Sequence, residues 1–369
     1  HANAAKQEFL SSMSHDIRTP MNAIIGMTSL ATANVHKPEQ AEEYLRKIAL
    51  SSKHLLGLIN DVLDISKIES GKMTLNVGLV SLREVMDSIV NIIQPQVKAK
   101  NQQFDAVAYE ILAENVCCDS VRLNQVLINL LGNAVKFTPE NGFVQVSVYQ
   151  EALQEDTSCV RTHFLVSDTG IGMSKEYQEK IFDSFSREDN MRVQKTEGSG
   201  LGMAITKYIV DAMGGTISVR SEQGKGSEFH VILDLAKVAE QERDTALPAW
   251  NMLVVDTDER LCISAVHSLE SLGIRAVWCP SVERAVELLA GQNHQKDGYQ
   301  IVLLGWNLPG MNGIEAARRL RSAYDKDCPA LFLSACDWSS MEKQAREAGI
   351  CGFVSRPLFQ SALYDALKT

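Results

Sequence analysis

Phe9-Leu10-Ser11-Ser12-Met13-Ser14-His15-Asp16-Ile17-Arg18-Thr19-Pro20 is the densest chemical signal in the chain. Phe9, Met13 and Ile17 recur at helical spacing, and Ile24 and Met27 prolong the same apolar stripe. His15 falls beside that stripe, so a helix should present it to solvent. An imidazole with a free nitrogen can attack phosphorus, and the adjoining Asp16 carboxylate can orient the ring and accept its proton. Thr19 follows four residues later on the same face. Pro20 lacks a backbone donor and should bend the helix there, as a hinge or as an inert kink.

A second stripe follows at Leu45, Ile48, Leu55, Ile59 and Val62. Between the two, Asn34-Val35-His36-Lys37-Pro38-Glu39 has turn residues and a proline suited to starting a helix, so the pair should form an antiparallel hairpin. Two helices bury little by themselves. Doubled apolar positions such as Leu55-Leu56 and Val62-Leu63 would be best covered by a second copy, which predicts a homodimer with a four-helix bundle.

From about residue 75 strands mix with helices, as in Phe143-Val144-Gln145-Val146-Ser147-Val148 and Thr216-Ile217-Ser218-Val219-Arg220. Residues 236–249 are charged, apolar-poor and run to Pro248, as a linker does. Beyond them Met252-Leu253-Val254-Val255 and Ile301-Val302-Leu303-Leu304 alternate with helical segments, the pattern of a parallel sheet covered on both faces. The expected fold class is therefore multidomain α plus α/β. It comprises a helical-hairpin dimerisation domain at 1–74, an α/β sandwich at 75–235, the linker at 236–249 and a doubly wound α/β domain at 250–369.

Three segments of the sandwich suit a nucleotide. In Asn124-Gln125-Val126-Leu127-Ile128-Asn129-Leu130-Leu131-Gly132-Asn133-Ala134-Val135-Lys136-Phe137, one helix face carries Asn129, Asn133 and Lys136 at i, i+4 and i+7. Amide oxygens suit magnesium and an ammonium suits phosphate oxygens, although the spacing also allows a plain solvated face. Val166-Ser167-Asp168-Thr169-Gly170-Ile171-Gly172-Met173 runs from an apolar strand into an acid that can accept a hydrogen bond from an adenine amino group. Glu197-Gly198-Ser199-Gly200-Leu201-Gly202-Met203 is a glycine-rich turn leading into a helix, whose amides suit phosphates. No G-x-x-x-x-G-K-[ST] occurs, and the dinucleotide fingerprint lacks its third glycine.

Taken in order, these segments resemble the sensor histidine kinases of two-component systems, of the hybrid type. The first matches the H-box and the others the N, G1 and G2 boxes; Phe182 and Phe185 match the F-box, and Gly224-Lys225-Gly226 echoes a final glycine motif. The resemblance covers residues 5–235. It implies an ATP-dependent protein-histidine kinase with His15 as phosphoacceptor, Asp16 as its acid/base partner and Thr19 positioning water to dephosphorylate the partner regulator. It implies ATP and Mg2+ as cofactors, with Asn129 on the metal, Asn133 and Lys136 near the phosphates, Asp168 on adenine, and Phe137, Gly170, Gly172, Phe182, Gly198, Gly200, Leu201 and Gly202 around the nucleotide. Residues 183–201 would be a mobile lid. Its Arg187, Arg192 and Lys195 would touch the γ-phosphate or the bundle, or line a solvated loop.

Residues 250–369 resemble a receiver domain, with a departure at its chemistry. A working receiver has two acids after its first strand, an aspartate after its third, a hydroxyl after its fourth and a lysine after its fifth. This chain has Asp256 and Asp258, then Gly305 at the acceptor position, Ser334, and Arg356 where lysine is usual. Glycine has no side chain to phosphorylate, so a pseudo-receiver used for regulation or docking is expected. The phosphoryl group of His15 would pass to an aspartate of a separate response regulator. The alternative is a nucleotide-binding pseudo-kinase scaffold without phosphotransfer; an ATP-hydrolysing chaperone or repair relative would leave the His15 segment unexplained.

Composition bounds the rest. The 369 residues are 45% hydrophobic and 22% charged, with a formal charge of -10, which argues against nucleic acid held by electrostatics. Eight cysteines lie without a C-x-x-C pair and read as reduced thiols in apolar surroundings. No apolar run spans a bilayer, so the segment should be cytoplasmic, with membrane attachment only through a missing upstream sensing part.

Overall fold

The computed structural model describes residues 2–154, 156–183, 186, 200–238, 247–290, 298–324, 329–336 and 341–368, with backbone alone at 2–12, 15, 16, 69 and 324. Two helices, α1 (Ala2–Ala33) and α2 (Pro38–Glu69), precede β1 (Gly78–Ser81), α3 (Leu82–Ala99), β2 (Gln103–Tyr109) and β3 (Asn115–Cys118). There follow α4 (Ser120–Phe137), β4 (Phe143–Ala152), β5 (Cys159–Asp168), a single turn α5 (Lys175–Gln178), α6 (Gly202–Ala212), β6 (Thr216–Glu222) and β7 (Gly226–Lys237). The last part runs β8 (Asn251–Val255), α7 (Glu259–Ser271), β9 (Arg275–Cys279), α8 (Val282–Ala290), β10 (Ile301–Gly305), β11 (Asn307–Leu308) and β12 (Met311–Asn312). It closes with α9 (Gly313–Tyr324), β13 (Ala330–Ala335), α10 (Glu342–Glu347), β14 (Ile350–Ser355) and α11 (Gln360–Lys368).

The chain divides into two compact units, one of His1–Leu75 with Ser174–Ala212, the other of Asn76–Met173 with Met213–Thr369. In the first, α1 and α2 pack along each other as a hairpin. Asn34 closes the turn by donating from its amide to Leu30 O at 2.9 Å, and Pro38 opens α2 at a position where its missing N–H costs nothing. α1 runs unbroken through Pro20, so the proline does not interrupt the helix. The hairpin buries Met13, Leu58 and Ile65 but leaves Met21, Ile25, Leu45, Leu56, Ile59 and Leu63 exposed. Leu45 and Ile59 thus lie outside the seam within one chain, because two helices shield only one side of each other.

In the second unit α3 and α4 are both capped by side chains: Ser81 Oγ accepts from Glu84 N at 3.2 Å and Asp119 Oδ1 from Arg122 N at 3.0 Å. Their apolar faces, among them Leu82, Met86, Ile89, Leu123, Leu127 and Leu130, are fully buried and pack on a sheet ordered β1-β3-β7-β5-β4-β2, with β6 on β7. Among the described residues that sheet has seven strands, parallel only between β2 and β4, and β2 is its edge. The same unit contains a wholly parallel sheet ordered β14-β13-β10-β8-β9, a doubly wound arrangement. The continuous apolar strands Met252–Val255 and Ile301–Leu304 are its buried centre.

Candidate functional site

The N-terminal signal lies on α1, where Thr19 is exposed; the side chains of His15 and Asp16 are outside the described residues. Gly198, Phe185, Arg187, Arg192 and Lys195 also lie outside them, while Phe182 is half-buried. In the same unit Gly200 takes a left-handed φ of 69°, Leu201 is fully buried, and its carbonyl accepts from Ile205 N at 2.9 Å as α6 begins at Gly202.

In the second unit Asn129, Asn133 and Lys136 are half-buried on α4, on the face away from its apolar stripe, and the Lys136 ammonium sits 4.8 Å from the Phe137 ring centroid. The end of α4 is fastened by residues the sequence did not single out. Lys100 Nζ donates to Val135 O at 2.8 Å and Lys136 O at 2.9 Å, and Gln102 Nε2 donates to Val135 O at 3.0 Å and Thr138 O at 2.6 Å. These satisfy the orphan carbonyls of the last turn and place a cation at the negative end of the helix. Burial holds the Lys100 ammonium below its ordinary pKa.

Asp168 ends β5, paired with Val144 of β4 and Ser227 of β7. Its Oδ1 accepts from Gly170 N at 2.8 Å. Burial pushes the carboxyl up to about 6, against the pull of the Gly170 and Ser227 amides. The loop after it is pinched between two backbones. Gly172 has φ +63°, and a Cβ there would lie 2.0 Å from Glu222 O; Gly226 has φ +109°, and a Cβ there would lie 1.9 Å from Asp168 O. Side chains are excluded at both positions by conformation and by space. Ile171 N donates to Phe137 O at 3.3 Å and Gly224 N to Ile171 O at 2.7 Å, so the end of α4, the Asp168 loop and the 222–226 turn form one cradle. An acid poised to accept, held beside this closely packed loop, fits the amino group of a purine edge.

The receiver-like pocket lies at the C-terminal edge of the parallel sheet, where strand order reverses between β8 and β10. Register sets Val255 beside Leu304, Gly305 beside Ser334 and Ala335 beside Ser355, which gathers Asp256, Gly305, Ser334 and Arg356. Asp258 instead caps α7, its Oδ1 accepting from Leu261 N at 3.1 Å. The Arg356 side chain is 5% exposed, donates from Nε to Ser334 Oγ at 3.2 Å, and pairs through Nη2 with Asp256. Among the described residues no group of acids, histidines or cysteines is arranged to hold a metal ion.

Residues 5–71 match the family described as His Kinase A (phospho-acceptor) domain. Residues 118–237 match Histidine kinase-, DNA gyrase B-, and HSP90-like ATPase, and residues 252–368 match Response regulator receiver domain. The sensory/regulatory protein RpfC of Xanthomonas campestris pv. campestris is 31% identical over 402 residues, covering 100% of this chain and 54% of that protein. The aerobic respiration control sensor protein ArcB of Escherichia coli K12 is 33% identical over 376 residues, covering 100% and 46%. The virulence sensor protein BvgS of Bordetella bronchiseptica is 34% identical over 386 residues, covering 100% and 30%. The chain thus spans about half or less of the length of these relatives. A crystal structure of full-length ShkA in complex with AMPPNP shares the fold at TM-score 0.52 and 23% identity, covering 98% of each chain. Phospho-acceptor helices, a kinase-type ATPase and a receiver, in that order and matched end to end by sensor proteins of the same plan, make this chain a member of the hybrid sensor histidine kinase family.

Proposed function

We propose that the chain is a sensor kinase core that uses ATP and magnesium to phosphorylate His15 and passes the phosphoryl group to an aspartate of a separate response regulator. The observation that carries this reading is the cradle in which the end of α4 meets the half-buried Asp168 loop through Phe137 O and Ile171 N. Asp168 would accept from the adenine amino group, Asn133 and Lys136 would face the phosphates, and Asn129 would hold magnesium, which neutralises phosphate charge when bound. An imidazole nitrogen of His15 attacks the γ-phosphorus. The bond to the bridging oxygen breaks, ADP leaves with its electron pair, and Asp16 takes the ring proton. The apolar residues left exposed on α1 and α2 support a second copy completing a four-helix bundle.

Within the same reading Thr19 positions water to dephosphorylate the regulator, and residues 250–369, lacking an acid at Gly305, form a docking or regulatory module that takes up no phosphate. The domain limits 1–74, 75–235 and 250–369 are part of the proposal. So is a cytoplasmic location for this segment, in which no described helix is long and apolar enough to cross a membrane. The test is incubation with γ-labelled ATP and magnesium. An acid-labile, base-stable label on His15 is expected; nucleotide binding without any label would instead leave a pseudo-kinase scaffold. Thr19→Ala should keep that label while slowing dephosphorylation of the regulator severalfold, and an equal collapse of both would assign Thr19 to substrate positioning.

A further inference from the structure

We propose that the acceptor pocket of the receiver-like domain has become a socket for a carboxylate, and that its occupant is Asp105 on the edge strand of the chain's own ATP-binding domain. The inference rests on the reading that this domain takes up no phosphoryl group, and it names what the pocket holds instead.

The pocket is filled from within and capped from outside. A Cβ added at Gly305 would lie 1.9 Å from Asp256 Oδ2, so the space an acceptor side chain would enter is held by the Asp256 carboxylate. That carboxylate faces Arg356, whose three guanidinium nitrogens are divided among three residues: Nε to Ser334, Nη2 to Asp256, and Nη1 to Asp105. Nη1 stands 3.2 Å from both Asp105 oxygens. The Asp105 side chain is 17% exposed and Arg356 only 5%, so the pair is withdrawn from water. Arginine suits such a site because its planar fork satisfies several acceptors at once and stays charged, whereas a lysine ammonium would be harder to desolvate.

Further contacts radiate from the same junction. Cys336 Sγ lies 3.7 Å from Asp105 Oδ1. Glu110 N, just past the end of β2, donates to Ser264 Oγ of α7 at 3.0 Å, and the Arg260 guanidinium lies 5.8 Å from the Tyr109 ring centroid. Ser361 N donates to Glu114 Oε1 at 2.9 Å, and Arg83 pairs with Asp365. α7 thereby covers the outer edge of β2, which ends the strand order and would otherwise be open to other strands. The charges are unbalanced, with two carboxylates on one guanidinium. Burial raises the Asp105 carboxyl above its ordinary value, and Arg356 offsets this only in part. Burial also opposes the charge on Arg356, but Asp105 and Asp256 outweigh it and hold its pKa above the ordinary value. Removing Arg356 would leave two desolvated acids facing each other, the costliest way to break such a site.

The test is hydrogen exchange on the whole chain, read in β2 (Gln103–Tyr109), α7 (Glu259–Ser271) and, as an internal control, α9 (Gly313–Tyr324). Arg356→Asp should lower protection of β2 and α7 together by tenfold or more. Asp105→Arg should do the same to a lesser degree. The double exchange, Asp105→Arg with Arg356→Asp, keeps two acids on one arginine and should restore most of the lost protection. Asp105→Asn is the mild variant should Arg356→Asp fail to fold; it should lower protection in β2 and α7 and leave α9 unchanged. Equal protection in all variants, no rescue by the double exchange, or a loss in α9 as large as in β2 and α7 would overturn the socket. Treating the same variants with a labelled small-molecule phosphodonor separates the two proposals. Acid-stable label within 250–368 overturns the non-accepting domain, whereas unaltered exchange overturns the socket while leaving that domain's silence intact.

Discussion

Asp168 and Asp256 are both acids at the C-terminal end of a buried strand, yet their surroundings differ in kind. Asp168 accepts from backbone amides and, among the described residues, pairs with no arginine or lysine, so burial raises its pKa and leaves it poised to accept a further donor. Asp256 meets the buried guanidinium of Arg356, and its capacity is met within the chain. The neighbours of the two acids diverge as well: glycines let the backbones of the Asp168 loop and the 222–226 turn pack closely beside the first, whereas the absent side chain at Gly305 leaves the second the space an acceptor would need. A strand-end carboxylate is therefore not a site in itself. The donors around it decide whether it receives a ligand or becomes a joint between elements.

That contrast is sharpened most at His15. If phosphoryl chemistry starts at the Asp168 cradle and ends on α1, His15→Gln should remove the whole acid-labile label while nucleotide affinity by calorimetry stays within about twofold. Label persisting in 250–368 would place chemistry in the second pocket and erase the distinction. Next in size, Asp168→Asn presents a donor to a donor and removes a charge-assisted hydrogen bond worth about 1.5–3 kcal/mol, so nucleotide affinity should fall about ten- to a hundredfold. Unchanged affinity would move the adenine elsewhere.

In the second pocket, Gly305→Asp restores the acid that receivers carry, but its Cβ must displace the Asp256 carboxylate. Overpacking and a third acid near one arginine should cost about 1–3 kcal/mol, read as a lower unfolding midpoint, with no uptake from a small-molecule phosphodonor. Uptake would mean that the pocket lacks only its acid. The smallest effect is a pH dependence. The raised pKa of Asp168 means that the folded nucleotide-free chain prefers the protonated acid: this contribution to stability is present below the ordinary value of 3.8 and is lost as pH rises through about 6. An adenine donor prefers the carboxylate. Affinity should thus rise by up to about tenfold per pH unit on approaching about 6, then level off, and Asp168→Asn should flatten the profile.

Much of this architecture is legible along the chain because its causes are local. The 3.6-residue stripes of α1 and α2 and the continuous apolar runs of β8 and β10 are set by residues within a few positions of one another. The acids at strand ends and the glycines beside Asp168 are likewise visible as letters, as is the missing acid at Gly305. Tertiary structure alone decides what surrounds them. Nothing near Lys100 or Gln102 announces that they cap a helix more than thirty residues later, nor does Gly226 reveal that it lies against Asp168. Asp105 reads as an ordinary polar position of an edge strand, and its partner Arg356 is 251 residues away. Local propensity acts over a turn or two, whereas desolvation and charge pairing depend on which surfaces meet, and that is set only when the sheets have closed over their cores.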